Sequence, residues 1–214
     1  MDKIDIIKKL GDEKLVAVIR AESKEQGLQI VEAVQKGGIK FLEVTLTVPY
    51  ALDIIKVLAE KYKGHDIYIG AGTVLDEETA RLAILSGAAY VVTPYFNESV
   101  LRMCNRYRVF CMPGAQTVKE IISCLETGAD VIKIFPGDAY SPSIIKSFKG
   151  PIPQGNYMPT GGVSLSNIKE WLENGAYAVG TGSQLTAGAK IGNYDKVTEE
   201  AKKFVAEVSK FRNI

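Results

Sequence analysis

The sequence predicts a parallel α/β fold, a (β/α)8 TIM barrel with an N-terminal helix, as a single domain over residues 1–214. Two observations predict it: short apolar runs return at regular spacing, and glycines separate most helical stretches from the next run. The runs lie about 20 to 27 residues apart, the length of one strand, one helix and two loops. Eight such runs match the strand number of this barrel. They are residues 15–19, 41–46, 67–69, 90–92, 109–112, 131–135, 157–158 and 177–179.

The stretches between the apolar runs have helical periodicity. In residues 26–34, for example, Ile30, Val31 and Val34 form one apolar stripe. Glycine follows most of these stretches, as expected where a helix ends and a parallel strand begins. An open, doubly wound sheet would share these features. The number of runs and the absence of Gly-x-Gly-x-x-Gly after the first run favour the barrel.

Composition indicates a small-molecule partner. The 214 residues are 46% hydrophobic, and 26 Lys and Arg balance 25 Asp and Glu without a charged block, which argues against nucleic acid and anionic membranes. Residues 1–10 mix charges with Leu and Ile, unlike a signal peptide or a membrane span, so we expect a cytoplasmic location. The three cysteines lack metal or disulfide spacing, and we expect reduced thiols, no metal and no cofactor.

Three ionisable residues interrupt the apolar runs. Arg20 ends the first run, Glu43 lies within the second and Lys133 within the sixth. Strand alternation puts Glu43 on the face of Phe41 and Lys133 on the face of Phe135. If both faces point inward, the charges converge in one apolar space, where an unpaired charge is costly. Lys133 and Glu43 then form either a structural ion pair, with Arg20 reaching solvent, or a catalytic pair.

A buried lysine of this kind has a specific chemical use. Burial and a neighbouring cation such as Arg20 both favour the neutral amine, which attacks carbonyl carbons. The Schiff base formed by Lys133 would withdraw electrons, so that a nearby carbon–carbon bond can break. Glu43 would then move protons, directly or through one water molecule. The residues therefore predict aldol cleavage of a keto acid.

Glycine-rich segments follow the seventh and eighth runs. Gly161 and Gly162 follow the seventh run, and Gly182 and Ser183 follow the eighth. In barrels the loops after these strands are the usual phosphate site, because glycine lets backbone amides approach an anion. We expect a substrate with a phosphate or another anionic tail. Turn geometry alone is the alternative explanation of these glycines.

Five ordered motifs resemble those of the 2-keto-3-deoxy-6-phosphogluconate aldolases, the KDPG/KHG aldolases. The motifs are residues 43–46 (Glu-Val-Thr-Leu), 70–74 (Gly-Ala-Gly-Thr-Val), 92–94 (Val-Thr-Pro), 133–136 (Lys-Ile-Phe-Pro) and 159–162 (Pro-Thr-Gly-Gly). The resemblance extends from about residue 15 to 188. It implies a metal-independent class I aldolase, usually a homotrimer, that forms pyruvate and glyceraldehyde 3-phosphate. Many members also cleave 4-hydroxy-2-oxoglutarate.

The resemblance also implies roles for individual residues. Lys133 matches the Schiff-base lysine and Glu43 the general acid/base. Thr73 and Pro94 match positions that line the pyruvate pocket, and Phe135 packs beside the lysine. The two glycine-rich segments match the phosphate loops.

One position departs from the family pattern. Several members have an arginine four residues after the glutamate, where it holds the pyruvyl carboxylate, whereas this sequence has Thr47. Arg20 resembles an arginine of another branch. We hypothesise that Arg20 supplies the missing positive charge at a substrate site to which Thr47 also contributes.

Three other functions compete with this interpretation. An aldolase for the galactonate epimer would share the chemistry and differ in its contacts with one hydroxyl group. A phosphate-binding barrel isomerase or epimerase would use two acid/base groups and no covalent lysine. A catalytically silent binding module would keep Lys133 as an ion-paired structural residue.

Overall fold

The structure, a computed structural model, describes residues 2–212. Within this range strands and helices alternate along the chain. The strands are β1 (Leu15–Ile19), β2 (Phe41–Thr45), β3 (Tyr68–Gly72), β4 (Tyr90–Val92), β5 (Phe110–Met112), β6 (Gly114–Ala115), β7 (Ile132–Ile134), β8 (Tyr157–Pro159) and β9 (Val179–Thr181). The α-helices are α1 (Lys3–Glu13), α2 (Lys24–Lys36), α3 (Ala51–Lys61), α4 (Glu77–Leu85), α5 (Glu98–Arg106), α6 (Val118–Glu126), α7 (Ile144–Lys149), α8 (Ile168–Glu173) and α9 (Tyr194–Ser209). Two short 3-10 helices span Gly137–Ala139 and Ala187–Ile191.

All strand pairs of the described chain are parallel, and they form two sheets. One sheet has six strands in the order β5-β4-β3-β2-β1-β9, and the other has three in the order β6-β7-β8. A single parallel bridge joins Thr160, which follows β8, to Gly180 in β9. The parallel α/β class and the N-terminal helix are thus confirmed. Closure into an eight-stranded barrel stays a prediction, because the strands fall into two sheets.

Two strand boundaries differ from the sequence prediction. The eighth apolar run was placed too early, since β9 begins at Val179, where it pairs with Leu15. Gly180 therefore belongs to the strand, and the loop begins at Gly182. The extra strand β6 was not predicted, because Pro113 interrupts the chain between β5 and β6 and proline has no N–H to donate to a ladder.

Local sequence signals explain where several helices begin and end. The side chains of Ser23 and Asp76 accept hydrogen bonds from the backbone N–H groups of Gln26 and Thr79, and so cap α2 and α4. Gly87 follows α4 with a φ of 95°, a conformation that glycine adopts without steric cost. The chain turns there directly into the segment that leads to β4.

The hydrophobic core has two parts, one on each face of the sheets. The larger part packs the helices against the outer strand faces. We call the smaller part the interior cluster; its members are Ile6, Leu10, Val16, Phe41, Tyr68, Tyr90, Val92, Phe110, Met112, Val131, Met158 and Ala178. Most of its strand residues lie at or near the first position of a strand. Ile6 and Leu10 belong to α1, so this helix covers the ends of the sheets where the strands begin.

Polar contacts fix α1 in this position. The Tyr177 hydroxyl donates to the carbonyl of Ile7 at 2.7 Å. Glu13, at the end of α1, is buried and pairs with Lys40 at 2.8 Å and with Arg212 at 2.6 Å. These contacts tie the first helix to the sheet and to the last described residue. No helix of residues 2–212 has the length and apolar character needed to cross a membrane.

Candidate active site

Lys133 and Glu43 meet on the inner face of the sheets. Glu43 lies in β2 and Lys133 in β7, and each has an exposed fraction below 5%, at 0% and 4%. Lys133 Nζ is 3.7 Å from Glu43 Oε1. Their strand neighbours Leu42 and Ile132 point to the opposite side, into the core beneath the helices. The alternation read from the sequence therefore places both groups correctly.

The surroundings of Lys133 favour its neutral form. Burial is the largest influence and lowers the pKa of the Lys133 amine, the Glu43 carboxylate acts to raise it, and the Arg20 cation lowers it further. The net pKa lies below the usual 10.5. Protein atoms of residues 2–212 donate no hydrogen bond to either Glu43 oxygen. A buried amine with a lowered pKa thus faces a carboxylate whose oxygens accept no hydrogen bond from residues 2–212.

Two glycines of β3 make room for this pair and for an aromatic neighbour. A Cβ atom on Gly72 would collide with Glu43 Oε1, and a Cβ atom on Gly70 would collide with the ring of Tyr90. Both glycines are on the inner face of β3, two residues apart. Packing therefore explains the two glycines of the Gly-Ala-Gly segment, because they leave space for side chains that extend from β2 and β4.

The glycine loops and Arg20 surround one cavity at the ends of β8 and β9. It has a volume of about 210 Å³. Among its lining residues are Arg20, Phe135, Thr160, Gly161, Gly162, Gly182 and Ser183. Arg20 forms no ion pair with any residue of 2–212. The positive charge of its guanidinium group is therefore available to an anion. Six of the residues that the sequence singled out thus come together.

Gly161 and Gly162 shape this cavity through their backbone. Their φ angles are 97° and 68°, in the region that favours glycine. A Cβ atom on Gly162 would also contact the Cβ atom of Asp138. The turn therefore needs glycine for its conformation and for its close approach to the segment after β7.

The structure does not bring Thr47, Thr73 and Pro94 into this cavity. Thr47 and Thr73 line a separate cavity of about 560 Å³. The exposed Thr47 places its Oγ1 atom 2.9 Å from that of Thr45, so it bonds within its own strand end. Pro94 lines neither cavity, and its backbone packs against Gly114. Phe135 is nearer the lysine, with its ring centroid 5.0 Å from Lys133 Nζ.

Sequence reasoning missed Thr160 and Gln184. The side chain of Thr160 lies over Gly180 and lines the 210 Å³ cavity, and its hydroxyl has no hydrogen-bond partner within residues 2–212. Gln184 Oε1 accepts the N–H of Leu165 at 3.0 Å, which ties the two loops together. The position of Thr160, directly before the Gly-Gly pair at a strand end, was the signal available. Nothing in the sequence singles out Gln184.

A parallel α/β fold with a buried lysine–carboxylate pair on the inner face of its strands is typical of the class I aldolases. The family model described as KDPG and KHG aldolase matches residues 6–200. A 2-dehydro-3-deoxy-phosphogluconate aldolase of Haemophilus influenzae is 36% identical over 168 residues, 78% of each chain. The chain therefore belongs to the KDPG and KHG aldolase family, and the resemblance seen in its motifs is confirmed.

Two further relatives are similar over about nine tenths of the chain. A 2-dehydro-3-deoxy-6-phosphogalactonate aldolase of Escherichia coli K12 is 32% identical over 193 residues, which cover 89% of this chain and 92% of the relative. The KDPG aldolase of Legionella pneumophila, solved with pyruvate captured as a covalent carbinolamine intermediate, superposes with a TM-score of 0.84. The two chains are 29% identical, and the match covers 92% of this chain and 96% of the Legionella chain.

Proposed function

We propose that the chain is a metal-independent class I aldolase that cleaves 2-keto-3-deoxy-6-phosphogluconate to pyruvate and glyceraldehyde 3-phosphate. The observation that carries this proposal is the buried Lys133 amine, with its lowered pKa, 3.7 Å from the buried Glu43 carboxylate. The neutral amine attacks the keto carbon, and loss of water gives an iminium ion. This ion accepts the electron pair of the breaking carbon–carbon bond as an enamine. Glu43 takes the proton of the substrate hydroxyl and later returns one to the enamine carbon.

The remaining residues bind the substrate in this proposal. Arg20 holds the pyruvyl carboxylate, because its charge is free and it lowers the pKa of Lys133 from nearby. The glycine loops bind the phosphate through backbone amides. The residues assigned to these roles are Arg20 and Phe135 for the pyruvyl part and Gly161, Gly162, Gly182 and Ser183 for the phosphate. Thr47, Thr73 and Pro94 stay assigned to the pyruvyl part by family resemblance alone, because they lie outside the cavity that Arg20 lines with the glycine loops.

Borohydride reduction in the presence of pyruvate tests the covalent chemistry. We expect a fixed mass increase on the wild-type protein, which peptide mapping assigns to Lys133, because only an imine is reduced to a stable amine. The Lys133→Met variant should gain no mass. Lys149→Met is the matched control, since Lys149 lies beside Tyr157 in a different pocket, and it should label like the wild type. Labelling of a lysine other than Lys133 would refute the assignment.

The galactonate epimer is the second candidate substrate, favoured by the 32% identity to the Escherichia coli phosphogalactonate aldolase. The chemistry is the same, and the two substrates differ in the configuration at one hydroxyl. Comparing kcat/KM for the two phosphorylated sugar acids shows which one is the better substrate. The same measurement should include 4-hydroxy-2-oxoglutarate, whose cleavage would give pyruvate and glyoxylate. An isomerase or epimerase would release no pyruvate, and the same assays detect that difference.

We also propose three properties of the whole molecule. The two sheets close into one (β/α)8 barrel within a single domain, with β5 and β6 as one interrupted strand. The Thr160–Gly180 bridge and the hydrogen bond from Lys133 N–H to the Pro113 carbonyl support closure. The protein forms a homotrimer, as the family resemblance implies, and it is located in the cytoplasm, as the character of residues 1–10 indicates. An experimental structure, sedimentation equilibrium and cell fractionation test these three properties in turn.

A further inference from the structure

The hydroxyl group of Tyr90 is enclosed in the interior cluster. Tyr90 has an exposed fraction of 0%, and its Oη atom has no hydrogen-bond partner within residues 2–212. Both carboxylate oxygens of Glu43 share this property. Buried polar atoms of proteins are nearly always hydrogen-bonded. Two such groups on the same side of the sheets therefore require a partner that protein side chains do not supply.

Strand register brings the two groups to the same level of the sheet. Glu43 pairs with Gly70 across β2 and β3, and Gly70 pairs with Tyr90 across β3 and β4. The Tyr90 Cζ atom, which carries the hydroxyl, packs on Gly70, and Glu43 Oε1 packs on Gly72. Residues two apart on one strand face are about 7 Å from each other. The hydroxyl and the carboxylate therefore lie over successive inner-face positions of β3, and no direct hydrogen bond joins them.

The chemical state of Tyr90 suits a hydrogen-bond donor. Burial, and after it the negative charge of Glu43, raise the pKa of Tyr90 well above its usual value of 10.0, so the hydroxyl keeps its proton. The ring packs against Phe41, with 5.7 Å between the ring centroids, and a phenylalanine would fill this space equally well. Packing alone does not explain the hydroxyl group.

We propose that one buried water molecule bridges the Tyr90 hydroxyl and the Glu43 carboxylate, which makes Tyr90 a positioning residue for the proton transfers of Glu43. The hydroxyl donates to the water, and the water donates to a carboxylate oxygen, so each buried group gains a partner. The bridge holds the carboxylate in one orientation beneath the substrate carbon. The catalytic part of this inference rests on the proposed function, whereas the water position does not.

The Tyr90→Phe variant separates this role from packing. In deuterated water the methyl group of pyruvate bound to Lys133 loses a proton to Glu43. The C–H electron pair forms the enamine double bond, and a solvent deuteron then adds to the same carbon. We expect this exchange, followed by NMR, to slow about fivefold, roughly the factor that one net hydrogen bond supplies. Borohydride trapping at Lys133 should stay within about twofold of wild type. Exchange at the wild-type rate would overturn the proposal.

Tyr68→Phe is the matched control, because Tyr68 belongs to the same interior cluster but donates its hydroxyl hydrogen to Asp66 at 2.8 Å. It should exchange pyruvate protons like the wild type, and an equal loss in both variants would attribute the effect to packing and overturn the role of Tyr90.

A high-resolution crystal structure tests the water directly. We expect a density peak within hydrogen-bond distance of Tyr90 Oη and the Glu43 carboxylate, and the loss of this peak in Tyr90→Phe. A wild-type map without the peak would refute the bridge. Failure of the proposed function can be distinguished from failure of the water bridge. If the aldolase function is wrong, the wild-type protein traps no pyruvate, whatever the electron-density map shows.

Discussion

Arg20 determines part of the charge environment in which Lys133 works. The Arg20 cation lowers the pKa of the Lys133 amine, in addition to the larger effect of burial. The ammonium form has no lone pair for attack, so imine formation falls as the pH drops through the pKa of Lys133. Removing the Arg20 charge must therefore move this fall to higher pH.

For Arg20→Ala we expect the acid limb of the trapping rate to move to higher pH and the half-saturating pyruvate concentration to rise about tenfold, since a charge-assisted contact is lost. Measuring the borohydride trapping rate against pH and pyruvate concentration checks both effects. Arg102→Ala is the control, because Arg102 is exposed and pairs only with Glu98 within residues 2–212. A rate that stays flat down to strongly acid pH, or an unchanged Arg20→Ala variant, would contradict this explanation.

The sequence predicts single residues well where a polar side chain breaks an apolar pattern. Lys133 and Glu43 could be found this way, since strand alternation alone places both on the inner face. Tyr90 and Thr160 could not, because a tyrosine at the start of a strand and a threonine at its end fit ordinary strand preferences. Their importance depends on which atoms lie opposite, and this depends on register between distant segments.

At the level of elements, α1 shows how a helix without any candidate site residue contributes to the core inside the sheets. Leu10 is fully buried in the interior cluster, whereas Lys8 on the same helix is exposed. The contacts of Leu10 are with residues at the beginning of the strands, at the end of the sheets opposite to the glycine loops. Its packing should therefore affect stability far more than catalysis.

For Leu10→Ala we expect the free energy of unfolding to fall by about 2–4 kcal/mol, the usual cost of a cavity left by a buried leucine. The kcat/KM of the folded variant should stay within about twofold of wild type. Urea denaturation and an aldolase assay measure the two quantities, and Lys8→Ala should change neither. A Leu10→Ala variant as stable as the wild type would show that α1 does not seal the interior cluster.

Element boundaries were harder to predict than element types. β1 and β4 begin and end where the apolar runs do. The eighth run and β9 differ because Val179, Gly180 and Thr181 pair with β1, and a sequence of small residues gives no sign of such pairing. Pro113 also separates β6 from β5. The apolar run of residues 109–112 predicts only the first of these two strands.

At the scale of the molecule, composition and spacing were enough to predict a parallel α/β fold and a small-molecule partner. They do not predict how strands from the two ends of the chain meet, because that depends on a few long-range pairs such as Leu15 with Val179. The site has the same limit. Its members come from segments that are distant in the sequence, and only the fold decides which of them share a cavity.

The position of α1 bears on how the substrate enters the proposed active site and how the products leave it. Ile6 and Leu10 cover the side of the interior where the strands start, so in the proposed mechanism we expect the substrate to enter from the opposite side, where the glycine loops and their cavity lie. In that mechanism the pyruvyl half of a cleaved substrate stays covalently attached to Lys133 after the carbon–carbon bond breaks. The aldehyde half is not bonded to the protein, so we expect it to leave first and pyruvate to leave second, after hydrolysis of the Schiff base.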